Sequence, residues 1–356
     1  MDAIICTSPS KELKALSTDI KVGLLAYGAI GDEHNRAIQA TDGLTLHAVC
    51  DTKPERLGAA LAISPDAQTF SDAHEMLEKS GIDLVVISTP PNSHYTWAKQ
   101  ALSRGLHVML EKPMALTTQE CDELMELAKS KDALLVVYQN RRYDPDYLTI
   151  KEQIERGEIG EIFHYESFVG GYSQPCSYWH SDATVSGGAI FDWGSHFIDQ
   201  IMSLVPSEID FVSGLNQKRV WDHVTNADHA QVSINFKDGL QAVFINSDLA
   251  AARKPKFYIL GTKGALIGDW DHSAGTTVAD LPAIITLHRA DGSSEVVEHV
   301  HATPYSFYAS LVAYLNDGTP MSVVAAQSRD VVAVMQAAEE SALANGKPVS
   351  PVLLRT

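Results

Sequence analysis

The segment Val22-Gly-Leu-Leu-Ala-Tyr-Gly-Ala-Ile-Gly31 decides the fold of the first half of the chain. It starts with an apolar run that predicts a buried strand, and its turn Ala26-x-Gly28-x-x-Gly31 leads into a helix. A second apolar run, Leu44–Cys50, predicts the next strand and is followed directly by Asp51. This order of strand, small-residue turn, helix, strand and acid is typical of a βαβ unit that binds a dinucleotide.

The turn before the helix has the chemistry that a pyrophosphate needs. Small residues let the backbone come close to the phosphates, and the helix start offers free N–H groups and the positive end of the helix dipole. The cofactor contacts predicted in this turn are Gly28, Ala29, Ile30 and Gly31. Asp51 can accept both hydroxyls of a ribose. Ala26 stands where the pattern prefers glycine. The alternative is a glycine-rich turn that binds no nucleotide, and the spacing to Asp51 argues against it.

Composition narrows the class of protein. The 356 residues suffice for two domains that each bury a core, and 45% apolar with 20% charged residues is typical of a globular protein. The net charge of −18 argues against nucleic acid and anionic membranes as partners, and we see no apolar run long enough to span a bilayer. The widely spaced Cys6, Cys50, Cys121 and Cys176 are expected to be unpaired thiols in a reducing cytosol. We therefore expect a cytoplasmic protein.

The chain divides into two patterns after a polar extension at residues 1–20. Strand and helix signals alternate over residues 21–140, which predicts an α/β domain with a parallel sheet covered on both faces. Further strands are predicted at Asp83–Ser88, Leu106–Leu110 and Ala133–Tyr138, and helices at Ser93–Arg104 and Thr117–Ser130. Residues 141–356 predict a second domain with antiparallel hairpins around turns at 237–239 and 289–292, and closing helices at Tyr305–Asn316 and Ala325–Ala344.

Ligands of an open parallel sheet bind at the carboxyl ends of its strands, and two more segments lie there. The first has polar side chains and free backbone that could line a cofactor, and its predicted contacts are Ser88, Thr89, Pro90, Asn92 and His94. The second is Glu111-Lys112-Pro113, directly after the strand Leu106–Leu110. At that position the ammonium of Lys112 can hold a substrate hydroxyl and stabilise negative charge on oxygen. An ordinary surface lysine is the alternative.

The segment Gly187-Gly-Ala-Ile-Phe-Asp192-Trp-Gly-Ser-His196 holds a second candidate pair. Asp192 and His196 are four residues apart, so on a helix they would share one face. The carboxylate would then orient the imidazole and favour its charged form, which suits proton exchange near neutral pH. A purely structural Asp–His pair is the alternative. A third metal ligand at suitable spacing is missing, so no metal site is predicted.

Together these motifs resemble those of the glucose–fructose oxidoreductase / inositol 2-dehydrogenase (Gfo/Idh/MocA) family, over residues 21 to about 350. The resemblance rests on the glycine turn with Asp51, on the segments 88–94, 105–113 and 140–145, and on Gly-Gly-x-x-x-Asp-x-Gly-x-His-x-x-Asp at 187–199. It implies a Rossmann doubly wound parallel sheet and a C-terminal α+β domain built on a large open, mostly antiparallel sheet. That sheet commonly serves in oligomerisation, which implies a homodimer or homotetramer.

The resemblance also implies roles for single residues. Lys112 would contact the reacting hydroxyl and the nicotinamide region, the Lys112–Pro113 bond could be cis, Asp192 would hold a sugar hydroxyl, and His196 would be the acid/base. Asp51 would favour NAD, although Lys53 and Arg56 leave NADP open. The remaining cofactor contacts it implies are Glu111, Lys112 and Arg141.

The substrate contacts expected beside these residues are aromatic. Tyr172 and Trp179 could stack on the C–H faces of a sugar, or they could simply pack. His180 stands where many relatives have arginine after the tryptophan, so one contact to substrate or cofactor is expected to differ.

These residues predict an NAD(P)-dependent oxidoreductase that acts on a secondary hydroxyl of a sugar, cyclitol or glycoside. His196 takes the hydroxyl proton while hydride leaves the same carbon. One alternative is a redox-assisted glycosidase, which oxidises a sugar transiently and eliminates the aglycone. The other is an NAD-bound sensor without catalysis, against which the presence of Lys112, Asp192 and His196 together argues.

Overall fold

The computed structural model describes residues 19–271 and 281–354. Most of the predicted N-terminal extension, including Cys6, lies outside the described residues. Within the described ranges Cys50, Cys121 and Cys176 are free thiols, as predicted. No helix in these ranges is both long and apolar enough to cross a membrane.

The first half forms a six-stranded parallel sheet in the order β3-β2-β1-β4-β5-β6. Its strands are β1 (Ile20–Leu25), β2 (Leu44–Cys50), β3 (Gln68–Phe70), β4 (Leu84–Ile87), β5 (His107–Leu110) and β6 (Leu135–Val137). Its helices are α1 (Gly31–Ala40), α2 (Pro54–Ile63), α3 (Ala73–Lys79), α4 (His94–Ser103) and α5 (Thr118–Ser130). The strand order reverses between β1 and β4, and ligands of such sheets bind at that switch point.

Local sequence explains these elements well. All four residues of β4 and of β5 are buried, as expected for apolar strands covered on both faces. Helix α5 begins with a capping box in which Thr117 accepts from the backbone of Glu120 and Glu120 accepts from the backbone of Thr117. Two strands are shorter in the structure than predicted. The strand predicted at 83–88 is β4, which is shorter by one residue at each end, and the strand predicted at 133–138 is β6, which is also shorter at both ends.

The second half is built on an eight-stranded sheet in the order β14-β13-β12-β11-β7-β10-β9-β8. Its strands are β7 (Ile162–Gly170), β8 (Ile209–Gln217), β9 (His229–Phe236), β10 (Gln241–Ser247), β11 (Phe257–Gly261), β12 (Gly264–Asp269), β13 (Ile284–Arg289) and β14 (Ser294–Val296). Its helices are α6 (Pro145–Glu155), α7 (Ala183–Ser186), α8 (Gly194–Leu204), α9 (Ser306–Asp317) and α10 (Ala325–Leu343). The β9–β10 and β13–β14 hairpins are confirmed. Among the described strands of this second sheet only β7 and β10 pair in parallel, so the sheet is mostly antiparallel, as predicted.

Helices cover one face of the large sheet. Helix α8 packs on β10, where Phe197 stacks on Phe244 with ring centroids 5.7 Å apart, and α10 packs on α8 and β8. The opposite face carries partly exposed apolar side chains such as Leu215 and Tyr258. An open face of this kind is compatible with the expected pairing of subunits, and the homodimer or homotetramer stays a prediction.

Helix α9 belongs in space to the first half of the chain. Its buried residues are Phe307, Tyr308, Leu311 and Leu315, and they share one apolar core with the strands β1, β2 and β4. The chain then returns to the second half through α10. The expected boundary at residue 140 therefore divides the sequence, but it does not divide the structure into two independent bodies.

Candidate active site

The turn after β1 shows why the sequence pattern prefers glycine at its first position. Ala26 has φ 73°, in the left-handed region, which costs a residue with a Cβ about 1–2 kcal/mol. An added Cβ at Gly28 would meet no atom within 4 Å, whereas one at Gly31 would lie 2.9 Å from the ring of Tyr27. Gly28 therefore leaves open space beside the backbone, and Gly31 lets α1 approach Tyr27 closely.

Asp51 lies beside this turn, at the carboxyl end of β2. Its carboxylate accepts the backbone N–H of Tyr27 at 2.8 Å and that of Lys53 at 2.9 Å. Arg56 also donates to it, at 3.2 Å, and the arginine side chain is 41% exposed. The predicted ribose role of Asp51 fits this position. Because Arg56 offsets part of its charge, the structure keeps NADP open as well.

The loop after β4 contacts the glycine turn. The Ser88 hydroxyl donates to the carbonyl of Ala26 at 2.8 Å, and Ser88, Thr89 and Pro90 are half-buried at this edge of the sheet, with Asn92 exposed. His94 is different. It is fully buried, its ring nitrogens lie 2.7 Å from the carbonyl of Pro113 and 2.8 Å from that of Thr89, and burial lowers its pKa. The expected cofactor contact by the His94 side chain is wrong. The ring instead ties two loops together.

The Glu111-Lys112-Pro113 turn is fixed in position by the contacts of the Glu111 carboxylate. The Lys112–Pro113 bond is cis, as expected. Glu111 accepts the backbone N–H of Lys112 at 3.1 Å and lies 3.0 Å from Nε2 of His34. His34 Nδ1 is 2.7 Å from the hydroxyl of Tyr308 on α9. Sequence reasoning missed His34 and Tyr308, because residues so far apart in the chain meet only in the folded protein.

Lys112 is not an ordinary surface lysine. Its Nζ lies 2.8 Å from Oδ1 of Asp192, and the two side chains are 17% and 24% exposed. His180 Nδ1 lies 3.4 Å from the other carboxylate oxygen. Burial raises the pKa of Asp192, but the charge of Lys112 and the hydrogen bond of His180 outweigh it and hold that pKa well below its usual range. Asp192 is therefore a carboxylate that joins a residue from each half of the chain.

The expectation that Asp192 and His196 share one helical face is wrong. Helix α8 begins at Gly194, so Asp192 lies in the turn before it and points to Lys112. The expected charged imidazole is wrong as well. Burial, together with the charges of Lys112 and Arg141, lowers the pKa of His196 well below 6.5, and the opposing effect of Asp192 is smaller. His196 is neutral at neutral pH, which is the form that a general base needs.

Trp193 connects these groups, and the sequence analysis did not single it out. Lys112 Nζ lies 5.9 Å from its ring and Arg141 Cζ 5.5 Å, which are distances of cation–π contacts. The ring of His196 is 5.8 Å away, centroid to centroid. Arg141 also forms an ion pair with Asp144 at 3.1 Å. The side chains of Lys112, Arg141 and His196 thus surround one indole, where the carboxyl ends of β5 and β6 meet the start of α8.

The predicted substrate contacts lie on the second half of the chain. Trp179 is 37% exposed, and its ring stacks on His180 at 4.2 Å, so the indole is connected to Asp192 through one residue. Tyr172 is 60% exposed and lies 6.1 Å from the ring of Trp221. The structure therefore brings His180 and Trp179 to the Lys112–Asp192 pair, and it places Tyr172 on a neighbouring loop.

The residues present fit a bound dinucleotide. Oε1 of Gln139, Oε1 of Gln200 and Nδ1 of His196 are buried without a hydrogen bond to any described residue. Gln139 donates to the carbonyl of Ser195 at 3.1 Å, so these acceptors lie where β6 ends near α8. Buried polar atoms are nearly always paired, so a ligand with hydrogen-bond donors fits this place. In the described part of the chain, no group of three potential ligands could hold a metal ion.

Comparison with known proteins agrees with this geometry. The sequence profile of an oxidoreductase family with an NAD-binding Rossmann fold matches residues 20–139, and the profile of the Gfo/Idh/MocA C-terminal domain matches residues 147–267. The chain belongs to the Gfo/Idh/MocA family. It is an NAD-binding oxidoreductase.

Three known proteins illustrate this relationship. The scyllo-inositol 2-dehydrogenase (NADP(+)) IolW of Bacillus subtilis (strain 168) is 26% identical over 340 residues, which cover 90% of this chain and 93% of that protein. An NAD-binding protein from Listeria innocua is 29% identical with a TM-score of 0.81, over 93% of this chain and 97% of that one. Levoglucosan dehydrogenase in complex with NADH and levoglucosan is 22% identical with a TM-score of 0.78, over 93% and 99%, and shows the shared fold.

Proposed function

We propose that this oxidoreductase moves hydride between a nicotinamide cofactor and a secondary hydroxyl of a cyclitol or sugar. The observation that carries the proposal is the contact of Lys112 with Asp192 beside the neutral imidazole of His196. An ammonium from the first half of the chain and a base from the second half meet there. An alcohol oxidation needs these two groups on one oxygen.

Each group has a role that follows from its surroundings. His196 takes the hydroxyl proton, because its buried ring is neutral. Lys112 donates a hydrogen bond to the same oxygen and stabilises the negative charge that develops on it. Asp192 holds the ammonium in place, and His180 holds Asp192 from the other side. When bound, the nicotinamide supplies the hydride acceptor.

The substrate class rests on the relatives and on the exposed rings. The B. subtilis relative acts on scyllo-inositol, and levoglucosan dehydrogenase, which shares the fold, binds an anhydrosugar. Trp179 and Tyr172 offer the aromatic surfaces on which the C–H faces of such rings pack. For the cofactor, Asp51 supports NAD, because its carboxylate would repel a 2′-phosphate.

The test is a screen of scyllo-inositol, myo-inositol, levoglucosan and D-glucose with NAD⁺ and with NADP⁺. The formation of reduced cofactor is followed by its absorbance. We expect at least one of these polyols to be oxidised, more efficiently with NAD⁺. A redox-assisted glycosidase would instead release aglycone from an aryl glycoside without net reduced cofactor. If no compound gives either signal while the protein binds NAD⁺, the proposal fails.

The open face of the large sheet supports the expectation of a homodimer or homotetramer. Leu215 and Tyr258 are 42% and 38% exposed there, and the burial of such apolar side chains by a second subunit is favourable. Light scattering of the purified protein measures the mass of the assembly directly. A single-chain mass at micromolar concentration would contradict the expectation.

A further inference from the structure

The side chains on the face of β10 that α8 covers lie in a row from the core towards the active site. Phe244 lies against α8, 3.3 Å from the position of a Cβ at Gly194. Two residues further on, Asn246 donates to the carbonyl of Ala189 at 3.0 Å, in the segment that leads to Asp192. Side chains two apart on a strand share a face, so the next position on this face is Asp248.

The backbone of Asp248 is fixed on both sides. Its N–H donates to the carbonyl of Asp228 at 2.8 Å, and its carbonyl accepts the N–H of Ser173 at 3.1 Å. Ser173 directly follows Tyr172, and Tyr172 itself pairs with Leu249. Asp248 therefore lies between the aromatic loop and the approach to Asp192, in a position set by the sheet.

The side chains of Asp228 and Asp248 have opposite surroundings. Asp228 accepts from Nζ of Lys218 at 2.7 Å and from the backbone N–H groups of residues 219, 220 and 221. The half-buried carboxyl of Asp248 has no hydrogen bond or ion pair with any residue in the ranges 19–271 and 281–354. A partly buried carboxyl without a partner is unfavourable for folding, so its presence on the face of β10 that leads to Asp192 points to a ligand.

We propose that Asp248 is a specificity-determining residue, whose carboxyl accepts a hydrogen bond from a substrate hydroxyl other than the one that is oxidised. This inference rests on the proposed function. Asp192 is already paired with Lys112 and His180, whereas the carboxyl of Asp248 remains for the substrate. The site therefore favours neutral polyols over ring compounds that carry a carboxylate or a phosphate, because like charges repel.

The acidity of Asp248 agrees with this role. Burial and the charges of Asp228 and Asp192 raise its pKa to about 6, and the opposing charge of Lys218 is insufficient. At neutral pH most of the carboxyl is therefore ionised. When the pKa of a group is higher in the folded than in the unfolded protein, the free energy of unfolding falls as the pH rises from the unfolded-state pKa to the folded-state pKa. Asp248→Asn should thus raise the melting temperature above pH 6 and leave it unchanged near pH 4.

Two variants separate the hydrogen bond from the charge. Asp248→Ala removes both, and we expect KM for the neutral polyol to rise about tenfold to a hundredfold with kcat nearly unchanged, because the contact is remote from the reacting carbon. Asp248→Asn keeps an acceptor and removes the charge. Its KM for the polyol should stay within about threefold of the wild-type value, and it should bind anionic analogues about tenfold more tightly than the wild-type protein does. Asp210→Ala, on the exposed side of β8, is the matched control and should change neither value.

The measurements use the full-length protein, NAD⁺ and the polyol that the screen identifies. D-Glucuronate and myo-inositol 1-phosphate serve as anionic probes, as substrates or as competitive inhibitors. The inference is overturned if the wild-type protein oxidises a polyol while Asp248→Ala leaves its KM within twofold, or if Asp248→Asn binds the anionic probes no better. If the wild-type protein oxidises no polyol at all, the proposed function has failed instead. If Asp248→Ala does not fold, Asp248→Ser takes its place.

Discussion

Two lysine–aspartate ion pairs of this protein have similar lengths, 2.7 Å and 2.8 Å, and they differ in their exposure to solvent. Lys256 donates to Asp146 at 2.7 Å and to the carbonyl of Leu281 at 3.0 Å, and both charged side chains are at most 3% exposed. Asp146 also accepts the N–H of Ala283 at 2.8 Å. The side chains of Lys112 and Asp192 are 17% and 24% exposed, so a substrate can reach the lysine donor that remains.

The comparison teaches how structural and functional pairs are told apart. A pair from which solvent is excluded fastens elements together, here α6 to the residues just before β11 and β13. A pair that solvent reaches, and that lies close to a neutral base, can bind a substrate. Distance alone does not separate them, whereas the exposure of the two side chains does.

The largest expected effect is on stability, at the buried pair of Lys256 and Asp146. Lys256→Ala leaves the carboxylate of Asp146 buried without its counter-charge, which lowers the free energy of unfolding by about 3–5 kcal/mol. Urea denaturation followed by fluorescence measures it. The double variant Lys256→Met with Asp146→Leu should recover much of this loss, because it buries no charge. An unchanged midpoint for Lys256→Ala would contradict the structural role.

The next largest effect is on catalysis, at the more exposed pair of Lys112 and Asp192. Lys112→Ala should lower kcat by about 100-fold to 1,000-fold, because the developing negative charge on oxygen loses its hydrogen bond. Its affinity for NAD⁺, measured by fluorescence titration, should stay within about threefold. The control is Lys129→Ala on the exposed side of α5, which should leave kcat unchanged. Normal turnover of Lys112→Ala would remove Lys112 from the mechanism.

The smallest effect concerns the pH dependence of the wild-type protein. Burial and the charges of Lys112 and Arg141 lower the pKa of His196, so its base form persists below pH 6.5. We expect kcat/KM for alcohol oxidation to fall only at a pH below 6.5, as imidazole gains its proton. Initial rates measured between pH 4.5 and pH 9 test this. An acid limb centred above pH 6.5 would mean that another group is the base.

The sequence predicted what depends on neighbouring residues. The unit from β1 to β2 with Asp51 follows from local spacing, and the hairpin β9–β10 follows from alternation and a glycine turn. The positive φ of Ala26 agrees with the departure seen in the sequence. The position of Lys112 beside Asp192 was expected through the family resemblance, because the two residues come from separate elements.

The remaining features depend on tertiary structure. The four-residue spacing of Asp192 and His196 could not show that the helix starts between them, and the neutral form of His196 results from burial by distant segments. The contacts of His34 with Glu111 and Tyr308 join elements far apart in the chain. Asp248 was missed as well, although the alternation along β10 could have identified it one residue past the strand.

The return of α9 to the first sheet limits how the protein can be cut. A fragment that ends at residue 140 contains all six parallel strands and the cofactor turn, yet it lacks the helix that covers Tyr138 and the neighbouring core. The exposed apolar surface would make such a fragment prone to aggregation. A soluble cofactor-binding unit therefore requires a circularly permuted or spliced design that carries residues 305–323, since a simple truncation omits part of its interior.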